Sequence, residues 1–342
     1  MEKKRIAKWD NVKLLLIFLV VLGHVCDRFT DPYRAVRALF MFIYTFHMPA
    51  FLMVSGLFAK RTVLSDRLNL RKVVPYAVLG VFLNFYRFLS IYLFDRSRRV
   101  DLSGQNNISW YLFVLAAFII IAWLLRNLDP KYVLTVSVLL AIIAGYDNSI
   151  GSDYALSRTI VLFPFFYLGV TWDREKLETV LSRKNVRLAS LGVLLLFAAV
   201  CLVFTKQVYW FRTLVTAQNP YSALPFSWQP VLGLARLIWY AVAVLLTLAV
   251  FSIIPDKHIP YLSSMGSQTL SIYFWHLPIL YIICMIPAIQ TAVSHNLALW
   301  VVFAVLLSSV LVVLLSHPVF ARPLNAILHP KLRKDIAKEK GS

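Results

Sequence analysis

Ten apolar runs organise the chain, at approximately 12–29, 38–58, 73–94, 109–125, 131–146, 159–172, 188–204, 236–254, 269–286 and 297–316. A helix crossing about 30 Å of hydrocarbon takes roughly 20 apolar residues. Long unbroken Leu, Val and Ile runs lack the period-two alternation of barrel strands, so the expected fold is all-α: a polytopic membrane protein of about ten transmembrane helices. Pro164 inside the short sixth run implies a kinked or partly unwound helix and leaves nine or eleven crossings open. Composition agrees, because 60% of the 342 residues are apolar and 15% are charged, too little polar surface for a water-soluble domain.

The formal charge of +19 comes from 35 Lys and Arg against 16 Asp and Glu. With both the N- and C-termini cytoplasmic, 23 of those 35 basic residues fall in cytoplasmic segments, as the positive-inside rule requires. Nucleic-acid binding would need one basic face with base-stacking aromatics, and no such module is present, so no nucleic acid partner is expected. Lys3, Lys4, Arg5 and Lys8 precede the apolar stretch from Leu14 to Leu22 in the manner of a signal peptide. No small-x-small cleavage site follows, and the segment is read as a retained first span.

Cys26, Cys201 and Cys284 lie in or beside apolar runs and are read as packing residues; neither a disulfide framework nor a metal site is expected. The connection from Thr205 to Gln229 carries Tyr209, Trp210, Phe211, Tyr221, Phe226 and Trp228. Interfacial anchoring is the expected use, with stacking on sugar rings as the alternative. Asn107, Ile108 and Ser109 match a glycosylation acceptor pattern too short to carry weight alone.

Ionisable groups inside spans carry the functional signal, because each costs several kcal/mol in hydrocarbon unless it meets a cavity or partner. Lys13 and His24 are eleven residues apart, three helical turns, and so share a helix face about 16 Å apart along the axis. Lys13 has snorkelling to the headgroups as an alternative use. His24 has Gly23 beside it, which permits close approach of another group, and a neutral imidazole is the usual general base near neutral pH. In the second run, Pro49 breaks the backbone ladder beside His47 and leaves carbonyls in need of partners, which suits a cavity wall.

The sequence resembles the acyltransferase-3 family of integral membrane acyltransferases, in particular its branch of sugar O-acetylases similar to fucose 4-O-acetylase. The resemblance rests on ordered blocks: Trp9, Asp10, Asn11, Val12, Lys13 leading to Val20, Val21, Leu22, Gly23, His24; Phe46, His47, Met48, Pro49 with Ser55 and Gly56; and Arg67, Leu68, Leu70, Arg71 ahead of Pro75 and Tyr76. Trp110, Tyr111, Leu112, then Phe163 to Phe166 with Leu168 and Gly169, then Gly266, Ser267, Leu270 to Tyr273 and His276 complete it. The resemblance implies a ten-helix domain that takes an acyl group, usually acetyl, from cytoplasmic acetyl-CoA and delivers it to a glycan or lipid-linked sugar. His24 matches the family's essential His. Many members have Arg where this chain has Lys13, which keeps the charge but lacks the planar fork.

That chemistry needs a base to take the hydroxyl proton and cations or donors to stabilise the oxyanion. His24 is the expected base. Lys13, His47 and Arg158 are the candidates for the second role, with an outer-headgroup anchor as the alternative for Arg158. Asp27 is one turn beyond His24, where orienting the imidazole or simple solvation are its two uses; Asp10 is read as a cap of the first helix. For the phosphates of coenzyme A, Arg67, Arg71 and Lys72 are expected, with Arg67 and Arg71 four apart on one helix face. The expected organisation is a membrane-embedded acyltransferase domain over 1–320 and a basic cytoplasmic tail over 321–342, in the inner plasma membrane among its lipids. No hydrolase-like Ser/His/Asp domain follows the last run, so direct transfer is expected, with an acetyl-enzyme left open. A glycan or lipid transporter or flippase is the alternative class.

Overall fold

The computed structural model describes residues 7–28, 33–93, 109–226, 229–284 and 286–328. Among these, every apolar run is helical and no strand occurs. The helices are α1 (Ala7–Arg28), α2 (Arg34–Val63), α3 (Val74–Tyr92), α4 (Trp110–Leu124), α5 (Pro130–Ala144), α6 (Leu156–Thr171), α7 (Arg174–Leu181) and α8 (Lys184–Val203). They continue as α9 (Thr205–Tyr209), α10 (Arg212–Thr216), α11 (Leu232–Ile253), α12 (Leu262–Met265), α13 (Thr269–Cys284), α14 (Pro287–Ser294), α15 (Leu297–Leu315) and α16 (Pro318–Leu328). Seven stretches, built on α1, α2, α3, α6, α8, α11 and α15, are long and apolar enough to cross a membrane. The stretch from α12 through α14 qualifies as one broken span, and α4 and α5 are shorter apolar helices. At 15 residues each, those two extend only about 22 Å.

The 30-residue α2 is the axis of the bundle, packed against α1, α6, α8 and α11. Its contact with α6 depends on two glycines. A Cβ added at Gly56 would lie 2.0 Å from the Phe166 carbonyl oxygen, and one at Gly169 would lie 2.0 Å from that of Met53. Each helix therefore sets its bare backbone against the backbone of the other, the close approach that small residues allow in membrane helices. Gly56→Val is expected to destabilise the fold by about 3 kcal/mol or more, since the obstruction is backbone that no rotamer change can move. A lowered thermal midpoint in detergent checks this; an unchanged one contradicts it.

Pro49 and Pro164 both lie inside continuous helices. Pro49 deprives the Thr45 carbonyl of its helical donor, and the Trp239 indole N–H from α11 supplies a replacement at 3.2 Å. The sixth run is a single helix of 16 residues containing Pro164, with the Tyr240 hydroxyl donating to the Val161 carbonyl in the turn before the proline. A neighbouring helix thus takes up the carbonyl that Pro49 leaves free, and both proline-containing segments stay helical.

A polar cluster at the start of α1 ties that end of the bundle together. Asn11 donates to the Pro255 and Lys257 carbonyls, at 3.0 Å each, and accepts from Ser263 at 2.7 Å. Trp9, fully buried, donates to Glu178. Asp10 lies within the first turn of α1 and pairs with Lys13 at 2.7 Å, so it is not a cap preceding the helix. Asp173 caps α7 instead: the N–H groups of Lys176 and Glu175 bond to its carboxylate and hold its pKa below the usual range. Outward, α3, α5, α8 and α15 expose Phe85, Leu140, Leu196 and Leu306 to more than half of their accessible surface. Such faces are solvated by lipid. The expected domain boundary at 320 falls within α16, and residues 329–342 lie outside the described residues, as do Asn107, Ile108, Trp228 and the first six residues.

Candidate active site

Two cavities enter the bundle from opposite ends and share the wall made by Val20, Met48 and Tyr273. α1 and α2 run antiparallel by topology, so the start of α1 and the end of α2 face the first cavity, while the end of α1 and the first half of α2 face the second. The first cavity, about 790 Å³, is lined by Lys13, Ser55, Phe58, Thr62, Arg71 and Lys72, with an apolar throat that includes Phe51, Val54 and Leu115. The second, about 360 Å³, contains His24, His47 and Arg158 with Asp27, Arg212 and Asn219.

The structure therefore separates the sequence-derived candidates into two groups. His24, His47 and Arg158, from α1, α2 and α6, come together in the second cavity. Lys13 does not join them; it lies in the first cavity, paired with Asp10 and 5.3 Å from the centroid of Phe58. Three turns of α1 keep it there. Arg71 and Lys72 also line the first cavity, whereas Arg67 is exposed and does not. The shared helix face expected for Arg67 and Arg71 does not form: α2 ends at Val63, and a new turn begins at Leu70, capped by Asn69, whose side chain accepts from the Arg71 N–H.

Local chemistry fixes each group in the second cavity. Gly23 brings the Tyr44 ring against α1, where an added Cβ would meet it at 3.1 Å. Nδ1 of His47 lies 2.9 Å from the Ile43 carbonyl, and a carbonyl can only accept, so the neutral ring carries its hydrogen on Nδ1. Arg158 is 6% exposed and lies over the Trp110 ring at 4.6 Å. Its Nε and Nη1 are buried without a hydrogen-bond partner, so their N–H groups are available for an anion that develops in the cavity. Asp27, which lines the same cavity, pairs with Arg212.

The described residues of the connection from Thr205 to Gln229 are ordered against the bundle. The connection folds into α9 and α10, and its Thr213, Val215, Thr216, Gln218 and Asn219 wall the second cavity. Tyr221, fully buried, plugs it into place: its N–H donates to the Gly145 carbonyl at 2.7 Å, and the ring occupies the space beside Gly145 where a Cβ would lie 2.3 Å away. Arg236, also fully buried, lies against the Tyr221 and Trp239 rings and donates to the Leu214 carbonyl at 2.9 Å. Ala217, at φ 53°, adopts the left-handed conformation just ahead of Gln218 and Asn219. That costs about 1 kcal/mol and turns the chain at the cavity wall.

Sequence reasoning did not assign Tyr44, Tyr273 or His276 to the site. Tyr273 belongs to both cavities, and the His276 ring stands 5.4 Å from that of His24. A signal was present, since His276, Leu277, Pro278 repeats the spacing of His47, Met48, Pro49. Among the described residues no group of three or more His, Cys, Asp or Glu is arranged to hold a metal ion.

A helical membrane protein with an imidazole and an unpaired guanidinium gathered where two cavities meet has the equipment for group transfer between separately bound partners. The acyltransferase-3 family model, described as an acyltransferase domain, matches residues 6–317, and the chain belongs to that family. A relative, the nodulation protein NolL of Sinorhizobium fredii (strain NBRC 101917 / NGR234), is 30% identical over 244 residues, 63% of this chain. The match covers 62% of that relative's length. No solved structure matches the chain.

Proposed function

We propose that the protein transfers acetyl from cytoplasmic acetyl-CoA to a hydroxyl of a cell-surface or lipid-linked carbohydrate, with His24 as general base. The observation that carries this reading is His24 beside the wall common to two cavities of different character. The first suits the donor. Arg71 and Lys72 offer positive charge to the phosphates, with Lys13 deeper on the same side, while Phe51, Val54 and Phe58 suit the thin pantetheine arm. The basic segments of the chain support a cytoplasmic position for that end, and the proposed location is the inner plasma membrane. The second cavity offers Asp27, Arg212, Gln218 and Asn219 to a hydroxyl-rich acceptor.

In this mechanism the acceptor hydroxyl lies against His24 and attacks the thioester carbonyl at the Val20, Met48 and Tyr273 wall. His24 takes the hydroxyl proton as the C–O bond forms. The N–H groups of Arg158, with His47 beside them, meet the oxyanion. Collapse breaks the C–S bond, and the proton passes from His24 to the departing thiolate to give free CoA.

Donor binding tests this reading. Acetyl-CoA at about 100 times its Kd is expected to stabilise the purified protein by ~2.7 kcal/mol, read as a raised thermal midpoint. Arg71→Ala is expected to weaken donor binding roughly ten- to hundredfold, the loss of a charge-assisted contact worth about 1.5–3 kcal/mol. Acceptor affinity is expected to stay unchanged. No stabilisation of folded protein by acetyl-CoA, or equal donor affinity in the variant, contradicts the assignment.

A further inference from the structure

We propose that His276 is the positioning residue for His24, accepting the N–H of the His24 ring nitrogen turned away from the substrate. The proposal deepens the general-base reading of His24 and rests on it. Nδ1 of His276 lies 3.0 Å from the Ile272 carbonyl and 2.9 Å from that of Tyr273. Both can only accept, so the neutral ring carries its hydrogen on Nδ1 and presents a lone pair at Nε2. His276 is fully buried, and that Nε2 has no hydrogen-bond partner. A buried acceptor left unpaired is rare and costly, and calls for a partner that the working state supplies.

The His24 ring stands at the right separation to be that partner. Two imidazoles joined by an N–H···N bond of about 2.9 Å have centroids about 5 Å apart, since each nitrogen sits about 1 Å from its ring centre. The centroids here are 5.4 Å apart, with 33° between the ring planes, a separation close to that of such a bond. Serine hydrolases hold their catalytic imidazole with a carboxylate. Among the described residues, Asp27 is the one carboxylate lining the second cavity, and Arg212 pairs with it; none of those lining the first cavity is a carboxylate.

A neutral acceptor has an advantage in this setting. A carboxylate beside His24 would also draw the Arg158 guanidinium into an ion pair and occupy the N–H groups that the oxyanion needs. His276 fixes the tautomer of His24 while leaving Arg158 unpaired. As the substrate proton arrives on the cavity-facing nitrogen, the opposite N–H stays bonded to Nε2 of His276. The same proton then leaves to the thiolate, and His276 neither gains nor loses one.

The test uses full-length protein in membranes supplied with radiolabelled acetyl-CoA, with label counted in the carbohydrate fraction and donor binding measured on purified protein. His276→Leu removes the acceptor and is expected to lower kcat about tenfold to a hundredfold with the KM for acetyl-CoA unchanged. His276→Gln restores an acceptor near the position of Nε2 and is expected to recover at least a third of wild-type turnover. Equal losses in the Leu and Gln variants, or no loss in the Leu variant, overturn the proposal. Should the Leu variant fail to fold, folded His276→Asn, whose amide is too short to reach His24, replaces it in the comparison, and equal turnover of Asn and Gln variants overturns it. His24→Ala runs alongside: an inactive His24→Ala with a fully active His276→Leu defeats only the positioning role, whereas an active His24→Ala defeats the base itself.

Discussion

Replacing His24 by Ala is expected to lower kcat for acyl transfer about 10²–10⁴-fold, the usual contribution of a positioned general base. The fold and donor affinity are expected to survive. His24 is only half-buried, so truncation leaves a space continuous with the second cavity and creates no sealed void in the core. It is also absent from the lining of the first cavity, where Arg71 and Lys72 lie, so acetyl-CoA is expected to stabilise variant and wild type equally. A loss of turnover accompanied by an equal loss of donor binding would point to a collapsed site and count against the base assignment.

Arg158→Met is expected to lower kcat about 10²–10³-fold, the range for removing one oxyanion donor. The expected effect on stability has the opposite sign from an ordinary core truncation. Arg158 is a buried cation whose Nε and Nη1 lack partners and whose guanidinium rests on Trp110. Burying such a charge is expensive, and replacing it with an apolar chain of similar length removes that cost. The Met variant is therefore expected to unfold at the same temperature as wild type or higher while turning over far more slowly. Arg158→Lys is expected to rescue poorly, because an ammonium cannot reproduce the planar stack or the forked donors. Full activity in Arg158→Met, or a large fall in its thermal midpoint, contradicts this role.

The helices were legible because hydrocarbon dictates them: each apolar run had to satisfy its backbone internally, and each is helical. The helix through Pro164 is continuous, and at Pro49 the freed Thr45 carbonyl is taken up by Trp239 of α11, a partner that is not visible within the run itself. The glycine pair that joins α2 to α6 was likewise visible only as two members of separate blocks; their reciprocity is a property of packing. In the candidate site, ionisable groups within spans singled out His24, His47 and Arg158, and these line one cavity. Lys13 carried the same signal yet serves the opposite end, since helical periodicity gives a shared face but says nothing about which cavity opens at each depth. Arg67 and Arg71 were placed on one helix on spacing alone, whereas Asn69 starts a new turn between them. The aromatic loop concealed its role because Tyr221 is held by Gly145 and Arg236, partners distant in sequence.

The central claim is that acetyl moves from CoA at one end of the bundle to a carbohydrate hydroxyl at the other. The most direct measurement uses sealed inside-out membrane vesicles containing the protein, with radiolabelled acetyl-CoA supplied to the exposed cytoplasmic face and label followed into carbohydrate. Label is expected in carbohydrate with wild type and is expected to fall to background with His24→Ala. Folded wild-type protein that moves glycan across the vesicle membrane but incorporates no label would contradict the account and favour a transporter.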